Sequence, residues 1–177
     1  MRPIMAEPWA FKNAMRRHAA SVTLIAVGLP PDRAGLTATS VCSLTAEPPQ
    51  LLVCLNGNSR TAQRLQEERL FSVNILGDRH RELAERFSSA HAISSEDKFR
   101  SGEWSPGPAG TPLLIDAVAS FECELASSYP VDTHIILIGR VLNLHAKSDA
   151  SALIYRDGRY GGWTALSAPA KGAAIEA

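Results

Sequence analysis

The residues able to do chemistry in this sequence are scattered. Its histidines, His18, His80, His91, His134 and His145, stand far apart, and neither HExxH nor a paired His/carboxylate spacing marks a metal site. The cysteines Cys42, Cys54 and Cys123 are odd in number and lack CxxC spacing, which argues against a disulfide framework and a zinc site alike. No GxSxG elbow offers an activated serine, and neither GxGxxG nor GxxxxGK[ST] offers a nucleotide fingerprint. What the chain does concentrate is small and hydroxyl side chains. From Gly35 to Pro49 it reads GLTATSVCSLTAEPP, then runs into the apolar strand Gln50 to Leu55. Such a stretch lets a planar ligand approach the backbone closely, with N–H groups and hydroxyls as partners. An edge strand rich in β-branched Thr and stopped by Pro48 and Pro49 explains the same residues without a ligand.

A second candidate follows at once. Asn56-Gly-Asn-Ser59 is a polar turn, and Arg60 to Glu68 leaves it as a short helix capped by Asn58 or Ser59. Free N–H groups, the helix dipole, the Ser59 and Thr61 hydroxyls and Arg60 would suit a phosphate there. An ordinary capped surface helix fits equally well.

The elements that must position these residues are mostly strands. Phe11, Ala14, Met15 and His18 recur at helical spacing, predicting an amphipathic helix from Pro8 to about Ala19. Ser21 to Val27 reads as a strand joined by a longer loop to the Gly35 stretch, a hairpin arrangement. Leu70 to Leu76 alternates at Phe71, Val73 and Ile75, after which Gly77-Asp78 turns into a helix with His80, Leu83, Ala84 and Phe87 inward. From Ser88 to Pro112 periodicity vanishes, leaving a long loop with Lys98, Phe99 and Trp104 as its notable side chains. Ala117 to Leu125 alternates, with Val118, Ser120, Glu122 and Glu124 on one face. His134 to His145 is apolar on both faces from Ile135 to Ile138, which predicts burial on both sides, by a barrel wall or a dimer interface. Tyr155 to Tyr160 is a hairpin centred on Asp157-Gly158.

Two or three helices among six or seven antiparallel strands, without βαβ alternation, predict a mainly β barrel or sandwich with helical insertions. The 177 residues suit a single domain, with a core from about 11 to 160 and a frayed Ala-rich tail from about 163. Lys+Arg and Asp+Glu balance at 18 each, and zero net charge argues against nucleic-acid or membrane-surface partners. With no apolar run long enough to span a bilayer and no disulfide pattern, a cytoplasmic protein is expected.

In order and spacing, the Gly35 to Pro49 stretch, the Asn56 to Thr61 turn, the Phe87 helix end, the Asp132-Thr-His134 strand opening and Arg156-Asp-Gly-Arg-Tyr160 resemble the short-chain flavin reductases. The resemblance runs from about Phe11 to Tyr160. It implies an FMN-binding split β-barrel, usually homodimeric, that takes hydride from NADH or NADPH to FMN or FAD. It further implies delivery of reduced flavin to a partner flavin-dependent monooxygenase. By the same resemblance Thr37, Thr39, Ser40, Val41 and Cys42 line the isoalloxazine ring with Cys54, Leu55 and Asn56, while Ser59 and Thr61 lie near the ribityl phosphate. Phe87 and Ser88 fall at the ring's rim, Tyr160 near the cofactor or dimer seam, and His134 is the catalytic candidate, orienting the nicotinamide or assisting protonation. The chain departs from the family's Gly-Asp-His at Asp132-Thr133-His134, displacing the acidic neighbour by one position. Two further readings stand beside the reductase: a non-catalytic flavin carrier or sensor, and a pyridoxine-phosphate-like oxidase. The latter would need a basic cluster denser than Arg156 and Arg159.

Overall fold

The computed structural model describes residues 5–89, 94–147 and 150–166. Pro8–Met15 forms α1 with proline in its first turn, where a missing N–H is harmless. Ala20–Ser21 (β1), Thr23–Val27 (β2), Ala34–Ala38 (β3), Val41–Ala46 (β4) and Pro49–Asn56 (β5) follow. Arg60–Glu68 (α2) leads to Leu70–Ile75 (β6), and a 3-10 turn at Asp78–His80 feeds Arg81–Ser88 (α3). The second half comprises Trp104–Pro106 (β7), Pro112–Leu114 (β8), Ala119–Val131 (β9), His134–Ala146 (β10), Leu153–Arg156 (β11) and Arg159–Gly162 (β12).

Seven strands form one sheet in the order β3-β2-β6-β9-β10-β5-β4, with every neighbouring pair antiparallel. β3 and β4 are its two edges, yet only Thr39 and Ser40 separate them in the chain. Six gaps of about 4.8 Å would set the edges of a flat sheet about 29 Å apart. Three peptide steps reach about 11 Å. The sheet therefore curls until its edges approach, and the result is a barrel left open along one seam. The Gly35 to Pro49 stretch is thus two strands on opposite edges of the sheet, and not the single edge strand that its composition also allowed.

Ile25, Val27, Val53, Phe71, Cys123 and Leu137 fill the barrel, while Leu24, Leu76, Leu83, Phe87 and Leu153 form a second core under α3. β2 serves both, which is why all five of its residues are buried. Gly139 lies at a register shift in β10, and a Cβ there would stand 2.5 Å from Phe71 Cζ, so glycine is what lets that ring lie against the strand.

Several expectations are corrected. Ser72 and Asn74 on β6, and Ser120 and Glu122 on β9, the polar residues of these alternating strands, are buried. The stretch from Ser88 to Pro112 is not structureless: it contains a 3-10 turn at Glu96–Arg100 and the β7–β8 hairpin, which covers these polar side chains. Asn74 Oδ1 accepts from Leu114 N–H at 3.0 Å and Ser120 Oγ at 2.8 Å, and Ser72 Oγ donates to the Pro112 carbonyl. α1 ends at Met15, and its apolar side chains Trp9, Phe11 and Met15 are exposed. Ile135 and Leu137 are buried, whereas Ile136 and Ile138 are only half-buried on the outer face. The Asp157-Gly158 turn has φ of 51° and 78°, the double positive φ of a type I′ hairpin. The tail expected to fray lies, from residue 167 onward, outside the described residues.

Candidate functional site

A cavity of about 940 Å³ opens at the barrel's seam. Its walls are β3 and the two-residue link to β4, the end of β5, the head of α2 and the tail of α3, with His134 also contributing. Gly35 is essential to one wall: a Cβ there would stand 2.8 Å from Phe87 Cε1 and 3.1 Å from the Ile25 carbonyl.

At the head of α2, Ser59 proves to be the cap. Its Oγ accepts from Ala62 N–H at 3.2 Å and its hydroxyl donates to the Asn56 carbonyl at 2.8 Å. Asn56 Oδ1 in turn accepts from Asn58 N–H at 2.9 Å. The amides of Arg60 and Thr61 open the helix, have no intrahelical acceptor, and sit at the positive end of its dipole. The guanidinium of Arg60 is not free, as it pairs with Asp32, whose other oxygen lies 2.9 Å from Arg64 Nη1. A phosphate bound here would be met by amides and the Thr61 hydroxyl, and the expected role for a free Arg60 side chain is withdrawn. Thr37 lines the cavity but donates its hydroxyl to the Ala84 carbonyl at 2.7 Å, fastening β3 to α3.

The other wall is built from the end of α3 and residues 94 to 100. Glu96 accepts from Arg33 N–H at 2.7 Å and from Arg33 Nη2 at 2.6 Å, bonds that hold its carboxyl below the usual range. The Arg33 guanidinium lies 4.4 Å from the centre of the Phe99 ring, and Phe99 meets Phe87 and Trp104 at 5.0 and 4.8 Å. Lys98 is buried here, donating to the carbonyls of Ser89 at 2.8 Å and Phe87 at 3.4 Å.

His134 opens β10 opposite Asn56 of β5, exposed at the mouth of the cavity. Its Nδ1 lies 2.8 Å from Thr133 Oγ1, which leaves Nε2 as the nitrogen available to a ligand. Asp132 takes the turn position, with φ of 47°, and it is Thr133 that holds the ring. Gly57 N–H donates to the Thr133 carbonyl at 3.1 Å, tying this turn to the α2 side of the site.

Of the residues expected from sequence, Thr37, Thr39, Ser40, Cys54, Leu55, Asn56, Ser59, Thr61, Phe87, Ser88 and His134 line one cavity. Val41 and Cys42 fall on β4 beyond its lining. Tyr160 lies outside the cavity's lining, its ring 5.1 Å from that of Tyr155 and its hydroxyl pKa raised by burial. Sequence reading missed Ser89, Ser95 and Lys98 as lining residues, because that stretch has no periodicity to orient its side chains. A second cavity of about 680 Å³ lies beside Asp116 and Ser151. His80 adjoins it with Nδ1 accepting from Gly77 N–H at 3.0 Å and Nε2 3.1 Å from Asp116 Oδ2.

Comparison with known proteins gives a consistent result. The family model described as "Flavin reductase like domain" matches residues 15–164. A protein of Cronobacter sakazakii named FMN reductase (NADH) RutF is 38% identical over 170 residues, 96% of this chain and 99% of that one. Among solved structures, the Streptomyces globisporus NADH:FAD oxidoreductase SgcE6, in complex with NAD and FAD fragments, superposes with a TM-score of 0.84 at 25% identity, covering 94% of this chain and 100% of that one. BorF, the flavin reductase component of a bacterial two-component tryptophan halogenase, superposes with a TM-score of 0.82 at 27% identity, over 90% of this chain and all of that one.

Proposed function

This chain belongs to the flavin reductase-like domain family, and on that premise we propose that it is an NAD(P)H:flavin oxidoreductase that supplies reduced flavin to a monooxygenase partner. The single observation that carries this reading is the seam cavity, where small side chains leave the backbone accessible and a helix N-terminus lies at one end. These residues fit a flavin. Cys54, Leu55 and the Thr39-Ser40 link offer a flat, narrow wall for a ring, and the Arg60 and Thr61 amides offer donors for a single phosphate. When bound, the flavin supplies the hydride acceptor and carries the electrons. The protein contributes position: the wall holds one ring face, the open side admits the nicotinamide, and His134 at the mouth orients it or handles a proton through Nε2.

NADH is the favoured donor and FMN the favoured acceptor, by likeness to the Cronobacter protein's stated activity. The monooxygenase partner is favoured by likeness to a two-component system. Purified protein with NADH or NADPH and with FMN, FAD or no flavin should oxidise the nicotinamide rapidly only when flavin is added, as followed by loss of reduced-nicotinamide absorbance. Tight flavin binding without nicotinamide oxidation would instead establish the carrier or sensor.

A homodimer is part of the same proposal. Tyr129 and Val131 at one end of the β9–β10 ladder, and Leu142 and Leu144 toward its other end, are exposed apolar side chains of the kind an interface covers. Light scattering should give about twice the 19.0 kDa chain mass. A monomeric mass at working concentration would remove this part. Among the described residues no helix is long and apolar enough to cross a membrane. We place the enzyme in the cytoplasm, a reading supported by the three unpaired cysteines.

A further inference from the structure

We propose that Asp32, in the β2–β3 loop, is a tethered competitor for the flavin phosphate: it keeps the Arg60 guanidinium engaged, and so leaves a phosphorylated flavin exchangeable. This rests on the reductase reading for the ligand, and adds to it a positioning residue that acts through Arg60. Arg60 is the first residue of α2 and lines the seam cavity, whereas Asp32 lies outside the lining. One carboxylate serves two cations: Asp32 Oδ1 pairs with Arg60 Nη2, and Oδ2 lies 2.9 Å from Arg64 Nη1. The loop that carries it is closed by a turn, with Asp32 N–H donating to the Leu29 carbonyl at 3.0 Å.

Two observations separate this carboxylate from a partner that serves stability alone. Arg64 already has Glu68 one turn along α2, so it does not depend on Asp32 for a counter-charge. The Arg60 and Asp32 side chains are 58% and 62% exposed, and a pair so exposed adds little to stability. The opening turn of α2 brings the positive end of its dipole to the cavity, and a free Arg60 would add a full charge to it. With Asp32 on it, the guanidinium contributes almost no net charge there. A phosphate must displace the carboxylate before it gains that guanidinium as a partner.

The phosphate is the same in oxidised and reduced flavin, so a contact to it strengthens the binding of both equally and does nothing for the hydride step. A reductase that hands its product on needs that product to leave. Asp32 removes the one full positive charge at the head of α2 and leaves the neutral amides and the Thr61 hydroxyl to meet the phosphate.

The test is equilibrium binding, with turnover not required. FMN and riboflavin, which shares the ring system but lacks the phosphate, are titrated by quenching of their fluorescence on the wild type, on Asp32→Asn and on the double variant Asp32→Asn/Arg60→Gln. Asp32→Asn should tighten FMN about three- to fivefold, the scale of one exposed charge-assisted hydrogen bond, and leave riboflavin within about 1.5-fold of wild type. The double variant restores the local net charge of the wild type, and its FMN Kd should return to within about 1.5-fold. Unchanged FMN binding in Asp32→Asn, an equal gain for riboflavin, or a gain that survives in the double variant each overturns the assignment. Should Asp32→Asn fail to fold, Asp32→Ser removes the same charge from the exposed loop and carries the same expectation. A wild type that binds FMN but oxidises no nicotinamide defeats the reductase reading alone. One that binds neither flavin defeats both.

Discussion

Replacing His134 by alanine lowers the maximal rate of flavin-dependent NADH oxidation about a hundredfold, while the flavin Kd moves less than about threefold. The split follows from position. His134 is exposed and joins the cavity from the start of β10, whereas most of the lining comes from β3, β5, α2 and α3. With Nδ1 taken by the Thr133 hydroxyl at 2.8 Å, Nε2 is the ring nitrogen left for a ligand, which in the proposed reaction is the nicotinamide. Asp132→Asn should leave the rate within about twofold, since Asp132 serves the turn and Thr133 holds the ring. An unchanged rate in His134→Ala, measured at saturating flavin and NADH, removes the histidine from the mechanism.

Replacing Glu122 by alanine destabilises the fold by about 3 kcal/mol or more, which for a chain of this size lowers Tm by about 6–12 °C. This carboxylate is 1% exposed and satisfied from several sides. Oε1 accepts from Thr111 Oγ1 at 2.8 Å, Thr111 N–H at 3.3 Å and Ala109 N–H at 3.1 Å; Oε2 accepts from Asn143 Nδ2 at 3.3 Å. Gly107 makes room for it, since a Cβ there would stand 2.3 Å from Oε1. Alanine leaves these donors buried and unpaired. Glu122→Gln keeps the shape but turns an amide N–H₂ toward at least one donor, and should cost about 1–3 kcal/mol. The damage reaches the site, because the β7–β8 hairpin that Glu122 anchors carries Trp104, whose ring packs against Phe87 and Phe99. A thermal melt in which Glu122→Ala shifts Tm by less than about 2 °C would show that the network is not holding the hairpin.

Much of the candidate site is legible in the sequence alone. Ser59 and the helix it caps, the inward face of α3 ending at Phe87, the type I′ pair Asp157-Gly158 and the small residues from Gly35 to Ser40 are written in short-range pattern. Each depends on a residue's own φ preference, a cap three residues away, or a periodicity of one turn. The family resemblance added order and spacing, which brought most of the expected lining residues to one cavity.

The local pattern could not say which strand lies beside which. β3 and β4 are neighbours in the chain and opposite edges of the sheet, so only the curl of seven strands brings Thr39, Ser40, Cys54 and His134 around one opening. Alternation in β6 and β9 marked Ser72, Asn74, Ser120 and Glu122 as the polar faces; the β7–β8 hairpin, from a stretch without periodicity, then buried them. Lys98 is buried against the carbonyls at the end of α3, and Arg60 lost its free charge to Asp32, a residue in the distant β2–β3 loop. A polar side chain's own neighbours in sequence set which face it occupies. Whether that face meets water, a partner or a ligand is set by elements far along the chain, and it was there that the tertiary structure decided what the sequence left open.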